Sequence, residues 1–208
     1  MRVDPAGYPF IGISFALALA GGVVVSPWLA LPFVLLAAFF LFFFRDPDRR
    51  ATSGDDLVLS PADGRVLVAG PAVAGAAPAG DWQQISIFLS PMNVHVNRVP
   101  VSGRVTKVSY TPGKYLPAYA HDAATANERS EIWIDHKGQS VVARQIVGML
   151  ARRVVCRLTS GSEVRAGDRY GVMKFGSRMD VFLPPTAELK VEVGAIVRAA
   201  ESIIAVLH

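Results

Sequence analysis

Ser177, His95 and Asp63 are the residues of this 208-residue chain whose types and settings could do chemistry together. Ser177 follows Gly176 between two strand-like runs, in Gly171-Val172-Met173-Lys174-Phe175-Gly176-Ser177-Arg178-Met179-Asp180-Val181-Phe182-Leu183-Pro184. A Gly-Ser pair is ordinary turn material, because glycine takes positive φ and serine bonds its own backbone. It also admits a sharper reading. Gly176 has no side chain, so its carbonyl is open to the Ser177 hydroxyl. An N-to-O acyl shift would give an ester. β-Elimination would then break the chain and leave a dehydroalanine, which hydrolyses to a pyruvoyl group.

Two other stretches carry candidate partners. Leu59-Ser60-Pro61-Ala62-Asp63-Gly64-Arg65-Val66 offers Asp63, although Asp-Gly after a proline is turn chemistry by itself. Phe88-Leu89-Ser90-Pro91-Met92-Asn93-Val94-His95-Val96-Asn97-Arg98-Val99-Pro100 offers His95 between two prolines. A lone histidine in such a segment serves structure more often than catalysis. An Asp, a His and a Ser on separate segments can nevertheless converge as orienting acid, base and nucleophile.

The elements that must position them divide the chain in two. Residues 5–44 contain no Asp, Glu, Lys or Arg, and they form two apolar runs, 9–25 and 27–44, separated by Gly21-Gly22 and Ser26-Pro27. Each run lies near the lower length limit for a spanning helix. A signal peptide is a poorer match, because a second apolar run follows where a mature domain should begin. The expectation is a helical membrane hairpin, either with both helices spanning or as a shallow re-entrant anchor. Arg2 precedes it and Arg45, Arg49 and Arg50 follow, so the positive-inside rule puts both ends in the cytoplasm. Residues 1–50 are therefore read as a membrane anchor with a basic juxtamembrane segment, and residues 51–208 as the catalytic domain. The net charge of +4 suits an anionic bilayer surface. Nucleic acid is not expected as a partner, since no Lys/Arg cluster has interleaved aromatics.

From Leu57 onward short β-type runs alternate with Gly, Pro, Asp and Asn. Examples are 64–68, 84–89, 101–110, 131–135, 140–147, 154–158, 179–183, 189–193 and 203–207. Such spacing predicts a mainly β sandwich or barrel-like domain. Residues 71–81 read as a small-residue loop, and 115–127 as a longer, partly helical insertion of the kind that borders sites. Val164-Arg165-Ala166-Gly167-Asp168 recurs as Val197-Arg198-Ala199-Ala200-Glu201, a pair similar to the hairpins of biotinyl and lipoyl carrier domains. The single Cys156 sits in a strand pattern and reads as a small core residue.

Taken together, these features resemble the phosphatidylserine decarboxylase family in its short, archaeal-type form. The residues that carry the resemblance are Ser60-Pro61-Ala62-Asp63-Gly64, the whole of 88–100, and Phe175-Gly176-Ser177-Arg178-Met179-Asp180, behind two apolar runs and an Arg-Asp-Pro. The resemblance implies a proenzyme that cuts itself between Gly176 and Ser177. The β chain would be residues 1–176 and the α chain residues 177–208, headed by a covalent pyruvoyl cofactor made from Ser177. That group would form a Schiff base with the serine amine of phosphatidylserine, and loss of CO₂ would give phosphatidylethanolamine. Asp63, His95 and Ser177 would correspond to the self-cleavage triad, with Asp63 holding the His95 ring in its tautomer. Longer family members carry a second histidine three residues on, where this chain has Arg98, so His95 is assigned to cleavage, decarboxylation or both. The implied partners are phosphatidylserine and membrane lipid, with the α and β chains of one proenzyme associated and a homodimer as a candidate assembly. The implied location is the cell membrane, with the catalytic domain on its cytoplasmic face. No metal is expected, because His95, His121, His136 and His208 lack zinc-type spacing.

Two further readings compete. One is a non-catalytic, membrane-anchored carrier or adaptor β-domain, which the repeated Val-Arg-Ala hairpins suggest. Lys174 is then the nearest modifiable lysine, without the flanking residues a carrier needs. The other is a membrane hydrolase using intact Ser177, for which the Gly-x-Ser-x-Gly elbow is missing.

Overall fold

A computed structural model describes residues 2–120, 122–149, 154–174 and 176–208, so the expectations for His121 and Phe175 lie outside the described residues. The chain forms two compact units, Met1–Asp48 and Arg49–His208.

The first unit is a helical hairpin. It contains β1 (Arg2–Val3), a 3₁₀ turn (Pro5–Gly7), α1 (Tyr8–Val24), α2 (Pro27–Phe43) and β2 (Arg45–Asp46). Asp4 caps the 3₁₀ turn by accepting from the Ala6 N–H at 2.9 Å, with Pro5 in the first position, where a missing N–H costs nothing. Pro27 opens α2 in the same way. β1 and β2 pair antiparallel, with Arg2 opposite Asp46, so the two ends of the hairpin lie side by side. Phe10 packs its ring on Phe40 and Phe44 at 5.2 and 5.6 Å between centroids. The outward surface is apolar: Leu19, Val24 and Trp28 are 69%, 79% and 83% exposed. Continuous exposed apolar surface of this kind marks an interaction face rather than a wet one. Residues Pro5–Val24 are long and apolar enough to cross a membrane, whereas α2 has 17 residues with Pro32 inside it.

The second unit is mainly β, as expected. Its elements are β3 (Leu57–Leu59), β4 (Gly64–Pro71), β5 (Gln83–Leu89), β6 (Val96–Arg98), β7 (Gly103–Thr111), α3 (Ala123–Ala126), β8 (Arg129–His136), β9 (Gln139–Ile146), β10 (Val155–Cys156), β11 (Glu163–Val164), β12 (Arg169–Val172), β13 (Ser177–Leu183), β14 (Glu188–Leu189), β15 (Ile196–Val197) and β16 (Ile203–Val206). Eight strands form one curled antiparallel sheet in the order β11-β7-β8-β9-β13-β5-β4-β15, a half-barrel. Two three-stranded sheets, β10-β12-β6 and β14-β16-β3, complete the domain. The runs expected at 154–158 and 189–193 shrink to β10 and β14, two residues each.

β13 lies inside the large sheet, and all seven of its residues are buried. Met179, Val181 and Leu183 alternate toward the main core with Ile85, Ile87, Leu89 and Ile132. Arg178 and Asp180 point to the opposite face. They meet as an ion pair at 2.6 Å, and Arg178 also donates to the Ser86 hydroxyl at 2.9 Å. Buried charges of this sort persist only when paired and hydrogen-bonded.

The hairpin repeat organises the rest. β15 closes on β4 with Val197 opposite Gly64, and β11 closes on β7 with Val164 opposite Gly103. The two closures use matching backbone bonds. Val66 N–H donates to the Ala195 carbonyl and Val105 N–H to the Ser162 carbonyl, both at 2.9 Å. Ala200 N–H reaches Ser60 as Gly167 N–H reaches Val99, both at 2.8 Å. Gly167 and Ala200 share positive φ, at 86° and 64°. The halves are thus pseudo-symmetric, and the segments they relate are Pro61-Ala62-Asp63-Gly64-Arg65-Val66 and Pro100-Val101-Ser102-Gly103-Arg104-Val105.

Candidate active site

Ser177 opens β13 and is fully buried. It stands opposite Leu89 of β5, so the second and third motif segments are joined in the large sheet. Gly176 precedes it with φ of 73°, the left-handed conformation that glycine adopts without strain. The pair is therefore both things the sequence allowed: a bend at Gly176, and a strand-initiating serine beyond it. The Ser177 hydroxyl donates to the Lys174 carbonyl at 3.4 Å.

His95 immediately precedes β6 and is buried. Its carbonyl accepts from the Met173 N–H at 3.2 Å, and Val96 pairs with Val172. The short connection from β12 to β13 therefore begins against His95 and ends at Ser177. The His95 Nδ1 lies 2.9 Å from the Asn93 carbonyl. A carbonyl only accepts, so Nδ1 carries the proton. In the neutral ring Nε2 is then the proton acceptor, the arrangement a general base requires.

Asp63 is placed differently from the expectation. Its carboxylate is engaged by Arg49 and the Ala199 turn. Both carboxylate oxygens of Asp63 grip the Arg49 guanidinium, at 2.6 and 2.7 Å, and Oδ1 also accepts from the Ala199 N–H at 2.8 Å. Arg49 donates in addition to the Ala199 carbonyl at 3.0 Å. The pseudo-symmetry explains why. Ser102 is the counterpart of Asp63 and accepts from the Ala166 N–H at 3.0 Å, just as Asp63 accepts from Ala199. A side-chain acceptor is needed at this turn in both halves, and only the Asp63 half adds a charge that binds an arginine. The Asn93 carbonyl, 2.9 Å from Nδ1, contributes to the orientation of the His95 ring.

The three motif segments nevertheless converge. Arg98 N–H donates to the Pro61 carbonyl at 2.9 Å, and Leu59 N–H to the Pro100 carbonyl at 2.8 Å, which zips the first motif to the second. Arg98 itself is buried, with Nη1 on the Gly167 carbonyl at 3.1 Å. Asn97 receives the Gln145 amide at 2.8 Å. Burial pushes the Cys156 thiol pKa up.

Sequence reasoning missed three residues here. Arg49 reads as a juxtamembrane charge but is a buried partner of Asp63. Asn127 lies at the end of the expected insertion, where its side chain ties that loop to Val147, one residue past β9. Gly148 sits against the Gly176 carbonyl. No local pattern announces the last two, since both act through contacts made by the assembled sheet.

Comparison with known proteins decides the family. A sequence model described as phosphatidylserine decarboxylase matches residues 36–205. The chain belongs to the phosphatidylserine decarboxylase family. Relatives named phosphatidylserine decarboxylase proenzyme include one from Prosthecochloris aestuarii, 44% identical over 83% of this chain and 79% of its own. A second, from Chlorobium phaeobacteroides, is 43% identical over 92% of this chain and 91% of its own. A third, from Ehrlichia chaffeensis, is 40% identical over the whole of this chain and 92% of its own. Within this phosphatidylserine decarboxylase-family chain, the matched region contains all three motif segments.

Proposed function

We propose that the chain is a proenzyme that cuts itself between Gly176 and Ser177 and then decarboxylates phosphatidylserine to phosphatidylethanolamine. The observation that carries this reading is one buried serine behind a left-handed glycine, paired in the sheet with Leu89 of the second motif, which is itself bonded to the first. Ser177 has what a precursor of a covalent pyruvoyl group needs: a strand-initiating position and a preceding residue without a side chain.

In the self-cleavage, His95 takes the Ser177 hydroxyl proton at Nε2. Oγ bonds to the Gly176 carbonyl carbon, the C–N bond breaks, and the Ser177 nitrogen leaves as an amine. Loss of the Ser177 Cα proton then breaks the Cβ–O bond and releases Gly176 as a carboxylate. Addition of water and loss of ammonia leave the keto terminus. That terminus supplies a carbonyl that accepts the substrate's amine and draws off the electron pair left by CO₂. His95 is the residue assigned to return a proton to the substrate carbon. Burial of Ser177 disfavours the substrate carboxylate's charge. Asp63 serves the site as a positioning residue, fixing Arg49 and the turn at Ala199. The helical hairpin holds the domain at the bilayer that contains the substrate, on the cytoplasmic face by the placement of Arg2, Arg45 and Arg50.

The test is turnover in nanodiscs containing phosphatidylserine labelled at its carboxyl carbon. The wild-type chain should release labelled CO₂ and Ser177→Ala none. Equal release by both would overturn the reading.

A further inference from the structure

We infer that Gly148 is a positioning residue for self-cleavage, holding the Gly176 carbonyl where the Ser177 hydroxyl can reach it. This inference rests on the proenzyme reading above.

The β9–β13 ladder pairs Ile146 with Arg178 at its last step. Two residues further along each strand stand Gly148 and Gly176. A Cβ built on Gly148 would lie 1.9 Å from the Gly176 carbonyl oxygen and 3.0 Å from its carbonyl carbon. No side chain fits at that distance. Gly148 is not among the glycines with positive φ, so its conformation does not demand glycine. Space does. The bare Cα is the surface on which the carbonyl of the proposed scissile bond rests.

The neighbouring backbone is arranged to the same end. Val147 stands one step beyond the Ile146–Arg178 pair, in line with Ser177, and by the alternation of an antiparallel strand it turns its backbone groups to the β8 side. Its N–H donates to the Glu128 carbonyl at 3.1 Å, and its carbonyl accepts from Asn127 Nδ2 at 2.8 Å. Asn127 in turn accepts from the Leu116 N–H at 2.9 Å and donates to the Leu116 carbonyl at 2.8 Å. The β9–β13 pairing ends at Ile146 and Arg178, and Ser177 keeps its strand partner Leu89 on the β5 side. The bond between Gly176 and Ser177 is outside the β9 ladder, while Gly148 fixes the carbonyl at its head. A reacting carbonyl displaced by about 1 Å loses about 10²-fold in rate, which is the scale of shift a methyl group at Gly148 would impose.

The experiment follows self-cleavage of the full chain on denaturing gels, with thermal unfolding measured in parallel. Wild type should cut, and Gly148→Ala should remain folded and cut about 100-fold more slowly. Hydroxylamine separates the steps, because it cleaves an ester left by a completed acyl shift. Gly148→Ala should yield no hydroxylamine fragments. Gly103→Ala is the strain control, since its Cβ would lie 2.2 Å from the Asp135 carbonyl far from Ser177 in the sheet. It should lose stability yet still cut. If wild type cuts and Gly148→Ala cuts as fast, or if Gly148→Ala accumulates a hydroxylamine-sensitive ester, the role of Gly148 is overturned and the proenzyme reading stands. If wild type never cuts, the proenzyme reading itself fails. Should Gly148→Ala not fold, Asn127→Ala gives the second test. It leaves the space at Gly148 open but releases the Val147 carbonyl and both Leu116 backbone groups, and it should slow cleavage about tenfold or more. Unchanged cleavage in a folded Asn127→Ala protein would overturn the inference.

Discussion

Asp63 holds Arg49 through two charge-assisted hydrogen bonds, and the Arg49 side chain is only 3% exposed. Removing one partner of such a pair strands the other charge away from water. Asp63→Ala should therefore lower stability by about 3–5 kcal/mol, read by denaturant unfolding of the full chain. Adding Arg49→Leu should restore part of that loss, because no guanidinium is then left unpaired. Self-cleavage should recover along with stability in the double variant, because Asp63 acts here through Arg49 and the Ala199 turn. A double variant that regains stability but not cleavage would return Asp63 to a direct role in the chemistry.

His95 carries the proton transfers in this account. His95→Gln keeps a polar side chain of similar reach but cannot exchange a proton near neutral pH. Loss of a positioned acid–base group costs about 10²–10⁴-fold. The expected result is a folded protein whose cleavage or turnover falls by that factor. Measuring both rates separately assigns His95 to one step or to both.

Tyr170 gives a pH dependence with a definite sign. It is fully buried, its hydroxyl faces the Met179 sulfur at 3.6 Å, and burial pushes its pKa well above the ordinary 10.0. The folded state therefore keeps this proton at pH values where the unfolded chain has lost it. Stability from this group is complete below about pH 10 and declines as pH rises beyond it. Tyr170→Phe should remove that alkaline decline, as followed by melting temperature between pH 8 and pH 11. An unchanged slope would place the alkaline sensitivity elsewhere.

Cleavage should not release the small chain. β13 is hydrogen-bonded to β9 on one side and to β5 on the other, β15 pairs with β4, and β16 pairs with β3. Residues 177–208 thus contribute strands to two sheets, and leaving would dismantle both. The two chains should co-elute on gel filtration in mild detergent and part only in denaturant. Separation under native conditions would contradict this topology.

Much of this was legible in the sequence. The absence of charge from 5 to 44 pointed to the helical hairpin, and the short β-type runs between Gly, Pro, Asp and Asn pointed to the strands of the large sheet. Ser177 and His95 stood out because Gly-Ser and a histidine between prolines are local patterns. The Asp63 pairing was not legible in the same way, because Arg49 is fourteen residues away and looks like a membrane-flanking charge. A signal did exist. Pro61-Ala62-Asp63-Gly64-Arg65-Val66 and Pro100-Val101-Ser102-Gly103-Arg104-Val105 repeat each other, and a serine in the second copy marks the shared need as a turn acceptor. Gly148 had no signal of that kind. Its role comes from strand register, which places it across from a residue 28 positions later in the chain.

The central claim is a covalent change at Ser177, and intact-mass spectrometry of the purified full chain tests it most directly. The account predicts two polypeptides, residues 1–176 ending in a free carboxylate and residues 177–208 carrying a keto group in place of the Ser177 amine. A lipid-active preparation that contains only the uncut chain, with an ordinary serine at position 177, would contradict it.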